Sequence, residues 1–187
     1  HRVGQAPRLR HHRYSLMRAL PLFLCALAIP FVLAACATRS SSLAPVTAIG
    51  DVEIHGRWAP DGRVAAFLGL PFAAAPIGAL RWRPPQPVAL PVSIDATAFA
   101  PACMQGPHIV DWYGDLMEDF GADRRDFPVP AFSEDCLYLN VWTPSPEPDA
   151  TLPVMVWIHG GGHLGVWAYE PNYIGSALAA RGAVVVS

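Results

Sequence analysis

The chain has 187 residues, a length typical of one domain or a small pair, and 52% of them are apolar, which excludes a chain that is disordered throughout. The formal net charge of −2 hides an uneven distribution, because five of the 13 Arg precede residue 20 and there is no Lys. From Cys36 onward, 8 Arg stand against 15 Asp and Glu, a net charge of −7. This negative charge disfavours a nucleic-acid partner, because such a partner would be held by contacts between basic residues and phosphates.

The first 45 residues are not expected to belong to the folded body. From Met17, one Arg precedes an apolar run that reaches Ala35, shorter than a typical bilayer span and typical of a signal peptide. Residues 17–35 are therefore predicted to be a signal peptide, and residues 36–45 a polar tether. Residues 1–16 are rich in His and Arg and are interpreted as sequence upstream of the true start.

The segment from Leu33 to Cys36 resembles the bacterial lipoprotein box, with Cys36 as the residue that carries the lipid after cleavage. The alternative is ordinary signal-peptidase cleavage after Ala37, at a site with small residues. Lipidation would give the protein a membrane partner through several acyl chains, since one chain alone holds a membrane weakly. Both alternatives predict an exported protein, either a bacterial lipoprotein on the periplasmic or outer-membrane side or a secreted one.

Residues 46–187 are predicted to fold, beginning with a β-hairpin. Residues 51–55 alternate between polar and apolar, residues 59–62 give a turn signal, and Arg63 to Leu68 supplies the second strand. The prolines between Pro71 and Pro85 exclude a helix or a central strand there, so this stretch is predicted to be an ordered surface loop.

Further along, two apolar segments are predicted to be strands. Residues 137–142 alternate in the manner of a strand, and residues 154–158 are short and β-branched after Pro153, as in a buried strand of a parallel sheet. The second strand runs directly into His159 and three glycines, whose backbone is free to bend sharply and to bring N–H groups close to a ligand. An ordinary glycine-rich loop is the alternative. A short helix within residues 172–182 and another strand at residues 183–187 are expected to follow.

Together these motifs resemble the type-B carboxylesterase/cholinesterase family. Glu134 to Pro144 is similar to a family signature over eleven residues, residues 67–82 resemble its proline-rich stretch, and Cys103 to Gln105 resembles its Cys-x-Gln signal. The resemblance covers about residues 46–187. It implies an α/β fold, specifically the N-terminal portion of an α/β-hydrolase, with an N-terminal β-hairpin followed by the start of a mixed, mostly parallel central sheet.

The resemblance makes the glycine turn an oxyanion loop. Gly161 and Gly162 would contribute two of the three backbone donors that stabilise the negative charge of a tetrahedral intermediate. His159 is interpreted as a structural hydrogen-bonding residue rather than a catalytic base. His163 stands where the family usually has an apolar residue, a departure that affects the shape expected for the acyl pocket. No metal and no organic cofactor is implied.

Two pairs of residues receive structural roles from the same resemblance. Cys103 and Cys136 would form a disulfide, which an exported protein can keep and which would enclose a variable loop. Arg81 and Glu134 would form a buried ion pair that specifies arrangement more than it adds stability.

The function implied is hydrolysis of a small-molecule or lipid carboxylic ester through a Ser-His-Glu/Asp triad and an acyl-enzyme. The nucleophile pattern Gly-x-Ser-x-Gly is absent from the 187 residues. The chain is therefore expected to be an N-terminal fragment that carries the oxyanion loop and has no esterase activity alone. The alternative is a cholinesterase-like binding or adhesion protein that keeps the fold and has lost the triad. A lipase that also uses His-Gly-Gly-Gly is disfavoured, because it does not explain Glu134 to Pro144.

Overall fold

The computed structural model describes residues 43–187, which form three β-sheets with few helices. Residues 1–42, with the predicted signal peptide and Cys36, lie outside the described part. The strands are β1 (Val46–Ile49), β2 (Val52–His55), β3 (Arg57–Trp58), β4 (Ala65–Pro71), β5 (Ser93–Asp95), β6 (Ala102–Cys103), β7 (Phe132–Ser133), β8 (Tyr138–Thr143), β9 (Val154–Val156) and β10 (Val184–Val186). The α-helices are α1 (His108–Asp119) and α2 (Ser176–Ala179), and short 3-10 helices span Gly78–Leu80, Arg124–Asp126 and Pro171–Tyr173.

The central sheet has five strands in the order β3-β4-β8-β10-β9. Strands β3, β4, β8 and β10 pair antiparallel in succession, whereas β9 and β10 pair parallel, with Val154 opposite Val184. The predicted mixed α/β arrangement is confirmed, and its parallel part begins at β9 and β10. The predicted strand at residues 137–142 is β8, and the one at residues 183–187 is β10.

The N-terminal hairpin is present, but its strands differ from the predicted pair. Strand β2 pairs antiparallel with β1 and parallel with β5, whereas β3 pairs with β4 across the predicted turn. Gly56 separates β2 from β3, and a Cβ placed there would lie 2.6 Å from the Ala66 carbonyl oxygen and 2.7 Å from the Phe67 ring. The chain therefore passes from one sheet to the other at a point where only glycine fits.

A β-bulge in β4 is held by a side chain of β8. The register between β4 and β8 shifts between Phe67 and Leu70, and Gly69 within the bulge has φ +67°. The buried side chain of Asn140 accepts a hydrogen bond from the Gly69 N–H at 3.0 Å, and the Asn140 backbone exchanges two hydrogen bonds with Ser187. Asn140 thus connects β4, β8 and the end of β10. The family-like signature around it has a structural role here.

Strand β4 is buried on both faces because it lies between two parts of the core. Ala66 and Leu68 pack with Trp142, Val185 and Ala179 on the side of helix α2. On the other side, Ala65 and Phe67 form a second cluster with residues of the N-terminal sheet, namely Ile54, Ala96 and Ile94.

Strand β9 was predicted to be buried, and this is wrong for the described residues. It is the last strand of the central sheet, and the side chains of Val154 and Val156 are 61% and 67% exposed. Ile158, which follows, is 84% exposed. Apolar side chains alone predict that a strand is buried. Burial also requires another layer of secondary structure on each face of the sheet. Within residues 43–187, β9 has only partial cover, from helix α2 and the segment just before it.

Helix α1 was not predicted, because the stretch between the two cysteines was interpreted as a loop. Ile109, Val110, Tyr113 and Met117 lie on one face and pack against Phe127 and Trp167. Their spacing fits the helical repeat, and this pattern was the signal available in the sequence. No helix within residues 43–187 is both long and apolar enough to cross a bilayer.

Candidate active site

The glycine loop follows β9 directly and adopts backbone conformations that favour glycine. Gly161 has φ +101° and Gly162 has φ +60°. A Cβ at Gly161 would lie 2.2 Å from the Gly165 carbonyl oxygen and 2.6 Å from Cγ2 of Val166, whereas a Cβ at Gly162 meets nothing within 4 Å. The Leu164 N–H donates to the Gly161 carbonyl oxygen at 3.0 Å and closes the turn. Gly161 therefore has no room for a side chain, and Gly162 needs glycine for its backbone conformation alone.

The N–H groups of Gly161 and Gly162 donate no hydrogen bond to any residue within 43–187. Both residues are exposed. A backbone N–H that is held in place and not used by the protein itself is what an oxyanion requires.

Gln105 connects this loop to the segment that contains Cys103. Its Oε1 accepts a hydrogen bond from the Val166 N–H at 2.7 Å, and its Nε2 donates to the carbonyl oxygens of Val166 and Cys103 at 3.0 and 3.2 Å. Val166 has φ +78°, which for a β-branched residue costs about 1–3 kcal/mol. The side chain of Gln105 therefore holds both polar groups of a strained residue that contacts Gly161.

A cavity of about 230 Å³ lies beside the loop. Its lining combines the disulfide, the loop and three further polar side chains. Among its residues are Cys103, Gln105, Cys136, Tyr138, Asn140, His159, His163, Leu164, Val166 and Trp167. The predicted disulfide is present, with Cα atoms 5.0 Å apart. The structure therefore brings Cys103 and Cys136 into the same cavity as the glycine loop.

Arg81 and Glu134 form an ion pair, with Arg81 Nη2 2.5 Å from Glu134 Oε2. The hydrogen bond from this guanidinium to the carboxylate raises the pKa of Arg81. The prediction that the pair is buried is wrong, since the two side chains are 54% and 43% exposed. Because water screens exposed charges, the pair contributes little to stability.

The two histidines of the loop differ in conformation. The exposed His159 has Nδ1 3.1 Å from the carbonyl oxygen of the next residue, Gly160. His163 has φ +60° and lines the cavity. A polar imidazole therefore lies at the position where a hydrophobic side chain was the expected family pattern.

Sequence reasoning missed a buried carboxyl group behind the cavity wall. Glu170 is 3% exposed, accepts a hydrogen bond from the Tyr113 hydroxyl at 2.5 Å, and lies 3.3 Å from the Trp167 N–H. Burial, followed by the hydrogen bond and the charge of Glu170, raises the pKa of Tyr113. No nearby sequence signal joins the two residues, which are 57 positions apart. The pair fixes Trp167, a lining residue, against helix α1.

No group of three or more His, Cys, Asp or Glu residues within 43–187 has an arrangement that could hold a metal ion.

A mixed sheet, a strand that runs into a glycine turn and a disulfide beside it define the N-terminal region of an α/β-hydrolase. Solved structures agree with this: a PNB esterase matches 77% of this chain and 27% of its own at 33% identity and a TM-score of 0.63. A thermophilic PNB esterase matches the same shares at 33% identity and a TM-score of 0.62.

The model of the carboxylesterase family matches residues 45–187. Fumonisin B1 esterase from Sphingopyxis macrogoltabida is 43% identical over 128 residues, 68% of this chain and 21% of that protein. Liver carboxylesterase from Sus scrofa is 48% identical over 129 residues, and acetylcholinesterase from Bungarus fasciatus is 42% identical over 144 residues, covering 21% and 22% of those proteins. The chain belongs to the carboxylesterase family, and it spans about a fifth of the length of these relatives.

Proposed function

We propose that residues 45–187 are the N-terminal part of a serine carboxylic ester hydrolase, with Gly161 and Gly162 as donors of the oxyanion hole. When a nucleophile adds to an ester carbonyl, the carbonyl oxygen gains negative charge. Two N–H groups already pointed at that oxygen stabilise the intermediate, and removing one such donor typically costs about 3–4 kcal/mol of the barrier. The ester substrate is a small molecule or a lipid.

The main support for the proposal is that the N–H groups of Gly161 and Gly162 are not used in hydrogen bonds by the described residues. They belong to a loop whose residues His159 and His163 line the cavity, they have conformations that other residues rarely adopt, and they have no partner within residues 43–187. The cavity supplies space for the substrate.

The chain alone is expected to be inactive, because none of its 187 residues lies in a Gly-x-Ser-x-Gly pattern. The test therefore places residues 45–187 in an esterase that supplies the rest of the machinery. The matching quarter of the thermophilic PNB esterase is replaced by these residues, and hydrolysis of p-nitrophenyl butyrate is measured. We expect turnover by the chimera and none by the 187-residue chain.

The control is Gly161→Ala in the same chimera, since its Cβ would meet the Gly165 carbonyl oxygen at 2.2 Å. A fall in kcat of about 10²–10³ is expected. A chimera that has the circular dichroism spectrum of the parent esterase and hydrolyses no ester would overturn the proposal. So would turnover by the 187-residue chain itself, because activity would then not need a downstream serine.

For localisation, we propose export with lipidation at Cys36, or secretion after cleavage at Ala37. The support is the apolar run that ends in Leu33 to Cys36, together with a disulfide of the kind that persists in oxidising compartments. Mass spectrometry of the N-terminus of the protein from bacterial membranes is expected to find a diacylglyceryl-cysteine at position 36. A first residue of 38 would instead select secretion, and peptides upstream of Met17 would refute the assigned start.

A further inference from the structure

We propose that Gln105 is a positioning residue for the oxyanion loop, and that it transmits the position of the Cys103–Cys136 disulfide to Gly161. The proposal rests on the function proposed above for Gly161 and Gly162. It assigns a role to a side chain that contacts neither glycine and that would not touch the reacting atoms.

The first step is the contact between Gln105 and Val166. The amide of Gln105 forms two hydrogen bonds with one residue, accepting from its N–H at 2.7 Å and donating to its C=O at 3.0 Å. A side-chain amide paired in this way imitates the hydrogen bonding of a neighbouring β-strand. Two bonds fix orientation as well as distance, and both are partly buried, so water competes weakly.

The second step leads from Val166 to the glycine donors. Val166 has a positive φ that a β-branched residue does not hold without support, and the hydrogen bonds from Gln105 supply that support. Its Cγ2 and the preceding Gly165 carbonyl oxygen occupy the space beside Gly161, at 2.6 and 2.2 Å from where a Cβ would be. If Val166 relaxes to negative φ, this packing is lost and the Gly161 peptide loses its fixed direction.

The third step leads back from Gln105 to the disulfide. The second hydrogen of the Nε2 group is donated to the Cys103 carbonyl oxygen at 3.2 Å. Cys103 is held from two sides, by the disulfide with Cys136 and by the pairing of β6 with β7. The amide of Gln105 is therefore anchored to a residue that the disulfide and a strand pairing both hold in place.

The identity of the side chain matters because it must both accept and donate. A Glu at position 105 keeps the acceptor for the Val166 N–H, but its ionised carboxylate would face the carbonyl oxygens of Val166 and Cys103. Protonation restores one donor. The effect of Gln105→Glu should therefore be large at neutral pH and should shrink as the pH falls through the usual Glu range, near 4.

The experiment measures amide hydrogen exchange of the full 187-residue chain at micromolar concentration, in the wild type, Gln105→Ala, Gln105→Glu and Gln86→Ala. Gln86 is the matched control, because its amide donates only to the nearby Pro84 carbonyl oxygen at 2.9 Å. We expect the Val166 N–H to exchange on the order of tenfold faster in Gln105→Ala, and the Leu164 N–H to follow. In Gln86→Ala, the N–H groups of Val166 and Leu164 should exchange at the wild-type rate. In all variants, the amides of strands β4 and β8 should also exchange at the wild-type rate.

Gln105→Glu should exchange like Gln105→Ala at pH 7 and approach the wild type at pH 4, each compared with the wild type at the same pH. Unchanged loop exchange in both Gln105 variants would overturn the proposal, and so would a pH-independent effect of Gln105→Glu. Faster exchange throughout β4 and β8 would also overturn it, because Gln105 would then act on the whole fold.

The same substitutions in the PNB esterase chimera separate this inference from the proposed function. We expect Gln105→Ala to lower kcat by about tenfold to hundredfold with little change in KM, since misplaced donors weaken the transition state more than the bound ester. A variant with faster loop exchange and unchanged kcat would overturn the positioning role. A chimera that is inactive with Gln105 intact would overturn the proposed function, whereas the exchange data would still decide whether Gln105 holds the loop.

Discussion

Two tyrosines near the cavity make similar hydrogen bonds to different acceptors. The Tyr113 hydroxyl donates to the buried Glu170 carboxyl group at 2.5 Å, and the Tyr169 hydroxyl donates to the Ala100 carbonyl oxygen at 2.7 Å. Tyr113 also stacks on Phe127, with ring centroids 4.4 Å apart. Replacement by Phe keeps the rings and removes only the hydroxyl groups, which makes the pair a clean comparison.

We expect Tyr113→Phe to lower the free energy of unfolding by about 2–3 kcal/mol and Tyr169→Phe by about 1 kcal/mol. The loss is larger in Tyr113→Phe because Oε2 of the buried Glu170 loses the donor that it has in the wild type, whereas Tyr169→Phe affects only a neutral carbonyl oxygen. Urea unfolding at pH 7 measures both. Equal losses in the two variants would show that Glu170 finds another donor.

Tyr113 also makes the stability of the folded protein depend on pH in the alkaline range. The pKa of Tyr113 is raised in the folded protein, first by burial, so its contribution is complete below the unfolded value near 10 and is lost as the pH rises above it. The wild type should therefore lose stability above pH 10 more steeply than Tyr113→Phe. Parallel curves for the two proteins would contradict this origin.

At the scale of single residues, the glycine run and the family-like motif predict Gly161 and Gly162 as oxyanion donors, and this role stays a prediction. The sequence drew attention to Gln105 only as a member of a motif, because its partner Val166 is 61 positions away. The positive φ of Val166 could not be predicted from its residue type, since β-branched residues normally avoid this conformation. The hydrogen bonds that hold the glycine loop are therefore a tertiary feature that the sequence does not predict.

Among the elements, the segment between the cysteines was the least predictable. Its helix α1 has a clear apolar face, but acidic residues and prolines around it favoured a loop. The strand at residues 138–143 was predictable, since it alternates over its whole length and ends at a proline. The pairing of β2 with β1 and β5 was not predictable. Local alternation of polar and apolar residues indicates a strand but does not show which strand it pairs with.

The disulfide connects β6 to the residues just before β8 and encloses α1. Its sequence separation of 33 residues predicts a stabilisation of roughly 3–4 kcal/mol from the reduced entropy of the unfolded chain. We expect the variant with Cys103→Ser and Cys136→Ser to lose about this free energy of unfolding, measured in urea without reductant.

The wild type with reductant should match this double variant, and reductant should change the double variant no further. If reductant destabilised both proteins equally, the effect would come from elsewhere in the chain. The exchange of the Val166 N–H should also rise in the double variant, because Gln105 donates to the carbonyl of the residue that the bond holds.

For the molecule as a whole, the exposed edge formed by β9 governs behaviour in solution. An unpaired edge strand with apolar side chains is a template for pairing with another chain. Val156 on this edge is 67% exposed, and Val129, which lies in a loop outside the strands, is 54% exposed. The two valines thus have similar exposure and differ in their backbone surroundings.

We expect the 187-residue chain to self-associate with rising concentration, and Val156→Lys to weaken this association markedly by placing a charge on the edge. Val129→Lys should leave it nearly unchanged. Sedimentation velocity over a range of concentrations measures both. Equal effects of the two substitutions would mean that general surface charge, and not the edge of the sheet, controls association.

Gly56 has a further consequence for how the N-terminal sheet and the central sheet can diverge in related proteins. It is the single residue between β2 and β3, and it lies against the Ala66 carbonyl oxygen and the Phe67 ring. Since side chains alternate along a strand, inserting or deleting one residue here would turn Ile54, now 2% exposed, to the opposite face of its sheet. Length changes at this joint are therefore expected to come in pairs, whereas the neighbouring residues 60–63 are exposed and their number is less restricted.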